Sequence, residues 1–290
     1  MKCYAHGSPG LVLIICASVL LTSCGTVPVT GRKQLLLIPA NEEMKLGLTS
    51  FDEMKQQVPV SKDPAANALL QKVGRRIAAV ADLPNAQWEF VVFESKEANA
   101  FCLPGGKVGV YSGILPITKN EAGLATVLGH EIAHAAAHHG AERMSEQLVM
   151  QGGGKVVGAF TASNPTVQSL STAAYGLGGN LARTLPHSRK QESEADHIGL
   201  IYMAKAGYDP REAVSFWERF SAYNQQHGGG NTLWFLNTHP LDAKRIEALK
   251  AELPTAQQFY RPGAAQFPKG YPNGTGATGT PVGAIIGHPR

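Results

Sequence analysis

The sequence predicts an α+β fold, mainly helical, with a small β-sheet beside the helix that carries its candidate active site. Three observations lead there. Apolar residues recur near a 3.6 period in several separate segments, and two short stretches rich in β-branched and aromatic residues are bounded by Pro-Gly signals. No repeat of fixed period runs through the 290 residues, which excludes a helical-repeat array. A hydrophobic content of 43% is enough to core one domain with appendages. The net charge is +4, with basic residues scattered among acids, so nucleic acid is not an expected partner.

The chain begins with Lys2 and an uncharged core from Leu11 to Leu21, the layout of an export signal over residues 1–23. That core is too short to span a membrane as a mature helix. Its end, Leu21-Thr22-Ser23-Cys24, resembles the bacterial lipobox, which implies cleavage before Cys24 and membrane attachment through lipid on that cysteine. An ordinary signal peptide or start-transfer anchor is the alternative. Gly25, in place of aspartate, favours the outer membrane, with the domain facing the periplasm. Cys3 and Cys16 fall in the signal, so Cys102 is left without a disulfide partner. Its neighbourhood permits redox sensitivity, although an inert packed thiol is the simpler expectation. Loss of Lys2 with the signal takes the charge from +4 to +3.

Residues 24–40 mix turn formers with a short apolar run and are expected to be a lipidated tether that ends by docking on a domain of residues 41–262. Residues 41–58 look helical. A second helix is expected from Pro64 to about Ala81, where Ala65, Leu69, Leu70, Val73, Ile77 and Val80 keep the helical period behind an Asp63 cap. Residues 88–94 and 107–111 read as two strands, with Leu103-Pro104-Gly105-Gly106 as the turn. Thr118-Lys119-Asn120-Glu121 resembles a capping box that starts a helix running to about His139. The stretch 151–180, rich in Gly, Ser, Thr and Ala, is expected to be mobile or irregular, with room for short helices. Helical patterns return at Ser188–Ala206, Pro210–Gln226 and Leu241–Glu252. Residues 263–290 are rich in Pro and Gly and are expected to be a disordered tail.

The chemistry concentrates in His130-Glu131-Ile132-Ala133-His134. Within a helix, positions 130 and 134 share a face, so two imidazoles can meet one Zn2+, with Glu131 alongside to take a proton from a water activated by the metal. A solvated polar face is the bland alternative, but the flanking LATVLGHEIAHAAA is apolar enough to bury both histidines. A catalytic zinc needs a third protein ligand. The arrangement with glycine and histidine following the second ligand fails, since Ala137 and Gly140 stand there. His138 and His139 are expected to be a solvated helix end. The other arrangement takes a glutamate from a later helix, and Glu192 fits. Asp196, one turn on, can accept the free N–H of a ligand histidine, whereas Glu194 points elsewhere and is expected to be structural.

HEIAH followed by ESEADHIG resembles the gluzincin family that includes HtpX, the CAAX prenyl endopeptidases, the Oma-type mitochondrial proteases and periplasmic relatives. Further matches are Asn99-Ala100-Phe101 through Pro104-Gly105-Gly106, the early GTVPVTGRKQLLLIP, and Thr238-His239-Pro240 with Arg245-Ile246. The resemblance covers roughly residues 25–252. It implies a zincin-like zinc metalloprotease domain with one Zn2+ per chain on His130, His134 and Glu192, Glu131 as base, and Asp196 behind a ligand. It further implies that the strand at 107–111 binds substrate backbone by strand addition, with Lys107, Gly109 and Tyr111 as subsite residues. His239 would lie on a loop over the metal, as a gate or an oxyanion stabiliser, and a turn histidine before proline is the bland alternative. The absence of a long mature apolar run and of a helical-repeat extension favours the short periplasmic lipoprotein branch, which trims misfolded or misassembled envelope proteins. A chaperone-like assembly factor for outer-membrane proteins, with a latent protease site, is the competing function. A zinc used only for folding is weaker, since such sites normally close with four protein ligands.

Overall fold

The computed structural model describes residues 24–150, 163–174, 188–226, 235, 239 and 243–262. The export signal, the C-terminal tail and most of the Gly-rich stretch lie outside the described residues. The described chain is mainly helical with two small sheets, the α+β class that the sequence predicts.

The first sheet is a hairpin of β1 (Cys24–Thr26) and β2 (Lys33–Leu35), paired antiparallel. The stretch expected to be a tether is thus in regular structure from its first described residues, and Val27 is buried in the main core. Helix α1 (Ala40–Gln57) buries Leu46, Phe51 and Met54. Helix α2 (Pro64–Ala78) starts as expected, the Asp63 carboxylate accepting from the backbone N–H groups of Ala65 and Ala66 at 2.8 and 3.2 Å. It buries Leu70, Val73 and Ile77.

The second sheet has three strands. β3 (Glu89–Phe93) and β5 (Lys107–Tyr111) match the expectation, and β4 (Ala100–Leu103) is additional. Buried throughout, β4 shows none of the alternation that marks a half-exposed strand. The order is β3-β5-β4, with β5 parallel to β3 and antiparallel to β4. This corrects the substrate-strand expectation. Lys107, Gly109 and Tyr111 sit on the central strand, whose backbone is paired on both sides, so it has no edge to offer a peptide. Their side-chain positions are also engaged in packing: Lys107 Nζ donates to the Gln87 carbonyl at 2.8 Å, Gly109 lies under the Phe101 ring, and Tyr111 packs with Phe93 and Phe101.

Past a short helix α3 (Leu115–Thr118), the chain turns at Lys119 with φ +70° and enters helix α4 (Glu121–Ala136). The cap is Asn120, which accepts from Gly123 N–H at 2.9 Å, and not Thr118, whose hydroxyl donates to the Leu115 carbonyl. Nor does α4 reach His139. It stops at Ala136, His138 takes φ +54°, and helix α5 (His139–Met150) starts in a new direction. Within the Gly-rich stretch, helix α6 (Pro165–Ala174) packs Val167 and Leu170 against Met144 and Leu148.

Helix α7 (Arg189–Lys205) opens with a capping box of Ser188 and Gln191. Helices α8 (Arg211–Gln226) and α9 (Ala243–Gln257) complete the fold, α9 running beyond the expected Glu252 with Pro254 inside it. The centre of the main core is the crossing of α4 and α7. A Cβ on Gly129 would lie 2.9 Å from the Gly199 carbonyl oxygen, and one on Gly199 would lie 3.0 Å from His130 N, so the two backbones touch where only glycine fits. No helix of the described residues is long and apolar enough to cross a membrane.

Candidate metal centre

That glycine contact crosses the body of α7 over the middle of α4 and sets Glu192, in the first turn of α7, beside the face that carries His130 and His134. The two imidazole Nε2 atoms lie 3.1 Å apart. Glu192 Oε1 is 3.3 Å from His134 Nε2, and its Oε2 is 3.5 Å from His130 Nε2. His239 enters from the loop before α9 and puts Nδ1 3.2 Å from His130 Nε2 and 2.9 Å from Glu192 Oε1. All four side chains are buried, and their donor atoms lie within 4.8 Å of one another. A tetrahedral Zn2+ with ligands at about 2.0–2.1 Å spaces their atoms about 3.3–3.4 Å apart. The separations here have that size, and three imidazole nitrogens crowded on one carboxylate are a donor set suited to such an ion.

Each helical histidine is held from behind, in a different way. His130 Nδ1 faces Asp196 Oδ1 at 3.0 Å. The other side of Asp196 is taken by Arg245, through Nε at 2.7 Å and a second nitrogen at 2.9 Å, while its third nitrogen forms an ion pair with Glu192 Oε2 at 2.6 Å. The Arg245 guanidinium lies 4.2 Å from the centre of the Trp217 ring. Asp196 therefore stands where the sequence places it, behind a candidate ligand.

His134 Nδ1 instead meets His139 Nδ1 at 2.7 Å, and His139 Nε2 meets Glu194 Oε2 at 3.0 Å. This overturns the solvated helix end. His139 is 0% exposed: the helix breaks at His138, and α5, which starts at His139, packs against α4 and β2. His138 itself pairs with the buried Glu43 at 2.8 Å. Glu194 does point away from the donor cluster, as expected, and its role is to hold His139.

The electrostatics follow from these partners. Burial opposes charge on His130, yet the hydrogen bonds to Asp196 and Glu192 outweigh it and raise its pKa to about 9. At His134 burial wins and pushes the pKa well down, which favours the neutral form a metal ligand needs. Burial also works against ionised Glu192, but His239 and Arg245 hold its pKa far below the usual carboxylate value. Glu194 is buried as well, and hydrogen bonds from His139, Thr30 and Arg32 bring it to about 2. Glu131 is pushed up, burial being the largest cause, which moves a carboxylate toward the range where it can exchange a proton near neutral pH. Its Oε1 lies 3.4 Å from His239 Nε2. The structure thus brings His130, Glu131, His134, Glu192, Asp196 and His239 together, and leaves Lys107, Gly109 and Tyr111 out.

Sequence reasoning gave no role to His139, Arg245 or the pair Gly129 and Gly199. Arg245 had a signal, an arginine beside Ile246 in a segment that matches the family. Cys102, on β4, is the inert thiol: burial and then the charge of Glu131 push its pKa well up.

A family profile described as peptidase family M48 matches residues 64–253. The chain is 36% identical to the mitochondrial metalloendopeptidase OMA1 of Schizosaccharomyces pombe over 241 residues, which cover 80% of this chain and 67% of that protein. The protein of the same description from Saccharomyces cerevisiae is 32% identical over 261 residues, 84% of this chain and 73% of that one. The beta-barrel assembly-enhancing protease of Yersinia pestis is 28% identical over 231 residues, 78% of this chain and 47% of that protein.

Proposed function

Because the chain belongs to peptidase family M48 and is a metalloendopeptidase, we propose that it holds one Zn2+ on His130, His134 and Glu192, with Glu131 as the proton-transfer base. The observation that carries this reading is the spacing of the donor atoms, 2.9–3.5 Å, with the Glu131 carboxylate alongside. When bound, the ion supplies Lewis acidity toward a peptide carbonyl and a water molecule. Glu131, with its raised pKa, takes the proton of the attacking water and delivers it to the leaving amine. Asp196 fixes the tautomer of His130 so that Nε2 faces the cluster. Arg245 balances the charge of Glu192 and Asp196.

His239 supplies a fourth donor, and its position favours a gate over an oxyanion stabiliser, since its Nδ1 faces Glu192 and His130. Substrate entry then requires that side chain to turn aside, and His239→Ala raises basal cleavage. The substrate backbone is placed along β4, which has a partner on one side only among the described strands and packs beside α4. Main-chain pairing there explains a broad choice of unfolded or misassembled protein substrates. Location in the bacterial envelope, on the outer membrane through lipid on Cys24, rests on the Leu21–Cys24 pattern and on Gly25.

The test is cleavage of casein by the purified chain, with and without chelation. Glu131→Gln is expected to lower kcat by about 10^2–10^4-fold while zinc content stays at one per chain; full activity in that variant removes the base assignment. Incorporation of labelled fatty acid, lost in Cys24→Ala, checks the anchor. The fourth donor also favours a second reading, a chaperone-like assembly factor with a latent site. Rescue of a deletion strain by Glu131→Gln would select it.

A further inference from the structure

The segment that joins β1 to β2 makes contacts that the hairpin itself does not require. Gly31, with φ +71°, turns the chain so that Thr30 and Arg32, on either side of it, reach the same carboxylate. Thr30 Oγ1 donates to Glu194 Oε1 at 2.5 Å, and Arg32 Nε donates to Glu194 Oε2 at 2.7 Å. The outer nitrogens of Arg32 grip both oxygens of Glu142 at 2.5 and 2.8 Å, and Glu142 also accepts from Gln191 of α7 at 2.8 Å. Bidentate Arg–carboxylate pairing fixes direction as well as distance. Arg32 is separated from Glu194 by 162 positions in the sequence, so this contact closes the N-terminal hairpin onto the two helices behind the site.

Behind Glu194 the chain of bonds continues inward, and its polarity is determined. With Nε2 of His134 turned to the donor cluster, Nδ1 carries the hydrogen and donates to His139 Nδ1 at 2.7 Å. His139 Nε2–H then donates to Glu194 Oε2 at 3.0 Å, the same oxygen that accepts from Arg32. We propose that Arg32, with Thr30, is a positioning residue for the metal centre: by fixing Glu194 it orients His139 and through it the ligand His134, so that docking of the N-terminal hairpin sets how tightly the metal is held. This rests on the reading of His134 as a ligand. Groups that hold a ligand histidine from behind typically contribute about 10–100-fold to metal affinity. Displacing the hairpin, for instance by force on its N-terminal end, would weaken the metal site from outside the cleft.

The experiment measures the zinc dissociation constant of the full chain in detergent by competition with a chromophoric chelator, together with the visible spectrum of the Co2+-loaded protein. Arg32→Ala is expected to weaken zinc by about tenfold and to shift the Co2+ bands. Lys33→Ala, which removes an exposed side chain bonded only within the hairpin, leaves both unchanged. Because Arg32 and His139 act in series, Arg32→Ala adds little to the loss caused by His139→Gln. Should Arg32→Ala not fold, Glu194→Gln replaces it, since it keeps an acceptor for His139 and removes the charge that Arg32 grips. Unchanged zinc affinity and an unchanged Co2+ spectrum in a folded variant overturn the proposal, whatever the loss of Tm. If the wild type itself binds no zinc, the assignment of His134 fails first, and the two failures are told apart.

Discussion

His130 and His134 are the same residue type on one face of α4, a single turn apart, and the two candidate ligands have different surroundings. His130 leans on a carboxylate, Asp196, that is locked by Arg245 inside the helical body. His134 leans on a neutral imidazole, His139, whose carboxylate partner Glu194 is held by Arg32 and Thr30 from the N-terminal hairpin. Burial is nearly complete for both and opposes charge on both, yet one pKa rises and the other falls: His130 has two carboxylates, Asp196 and Glu192, to outweigh desolvation, whereas His134 has Glu192 alone and the charge of His130 against it. Two candidate ligands that share a helix face thus differ in what stands behind them: a carboxylate held by Arg245 for His130, and an imidazole tied through Glu194 to the N-terminal hairpin for His134.

The substitution with the largest expected effect removes what the two share. Glu192→Ala deletes the carboxylate that touches both imidazoles and leaves Arg245 short of a partner, so zinc per chain, measured by atomic emission after dialysis, falls from about one toward zero and cleavage of casein disappears. Next come the two separate supports. Asp196→Asn keeps shape but loses charge, and zinc affinity is expected to fall by about 10–100-fold, with part of the loss arising because Arg245 keeps its buried charge. His139→Gln is expected to cost less, about tenfold, as a neutral acceptor is exchanged for another; equal losses at the two positions would abolish the contrast drawn between the ligands. The smallest effect concerns the crossing on which both depend. Gly199→Ala forces a methyl group against the backbone of Gly129 and His130, and a destabilisation of about 1–3 kcal/mol is expected, read as a lowered Tm at unchanged zinc stoichiometry. A stabilised Gly199→Ala protein would show that the helices can part freely.

Much of the site could be read before the fold was known, because its parts obey local rules. The i, i+4 spacing of His130 and His134 follows from 3.6 residues per turn, and the same spacing aligns Glu192 with Asp196. The start of α7 was legible only as a helical pattern from Ser188, its capping box with Gln191 going unread, whereas that of α2 was legible in Asp63 and Pro64. The start of α4 was misread by two residues, since Thr118 and Asn120 are both competent caps and only the turn at Lys119 decides between them. His139 was misread for a similar reason. A histidine two residues past the run Ala135–Ala137 reads as a frayed end, and nothing local announces that the helix breaks at His138.

By itself, then, the order of residues determined the chemistry that α4 and α7 offer: two imidazoles, a base and two carboxylates at helical intervals. Tertiary structure alone decided where that chemistry goes. It made β5 the central strand and β4 the edge among the described strands, brought His239 in as a fourth candidate donor, and tied Arg32 to His134 through two intermediate side chains. The physical reason is that hydrogen-bond geometry within a helix depends on near neighbours, whereas convergence across many tens of residues depends on packing. Here the packing contact is Gly129 against Gly199, two residues without side chains and therefore without a pattern to read.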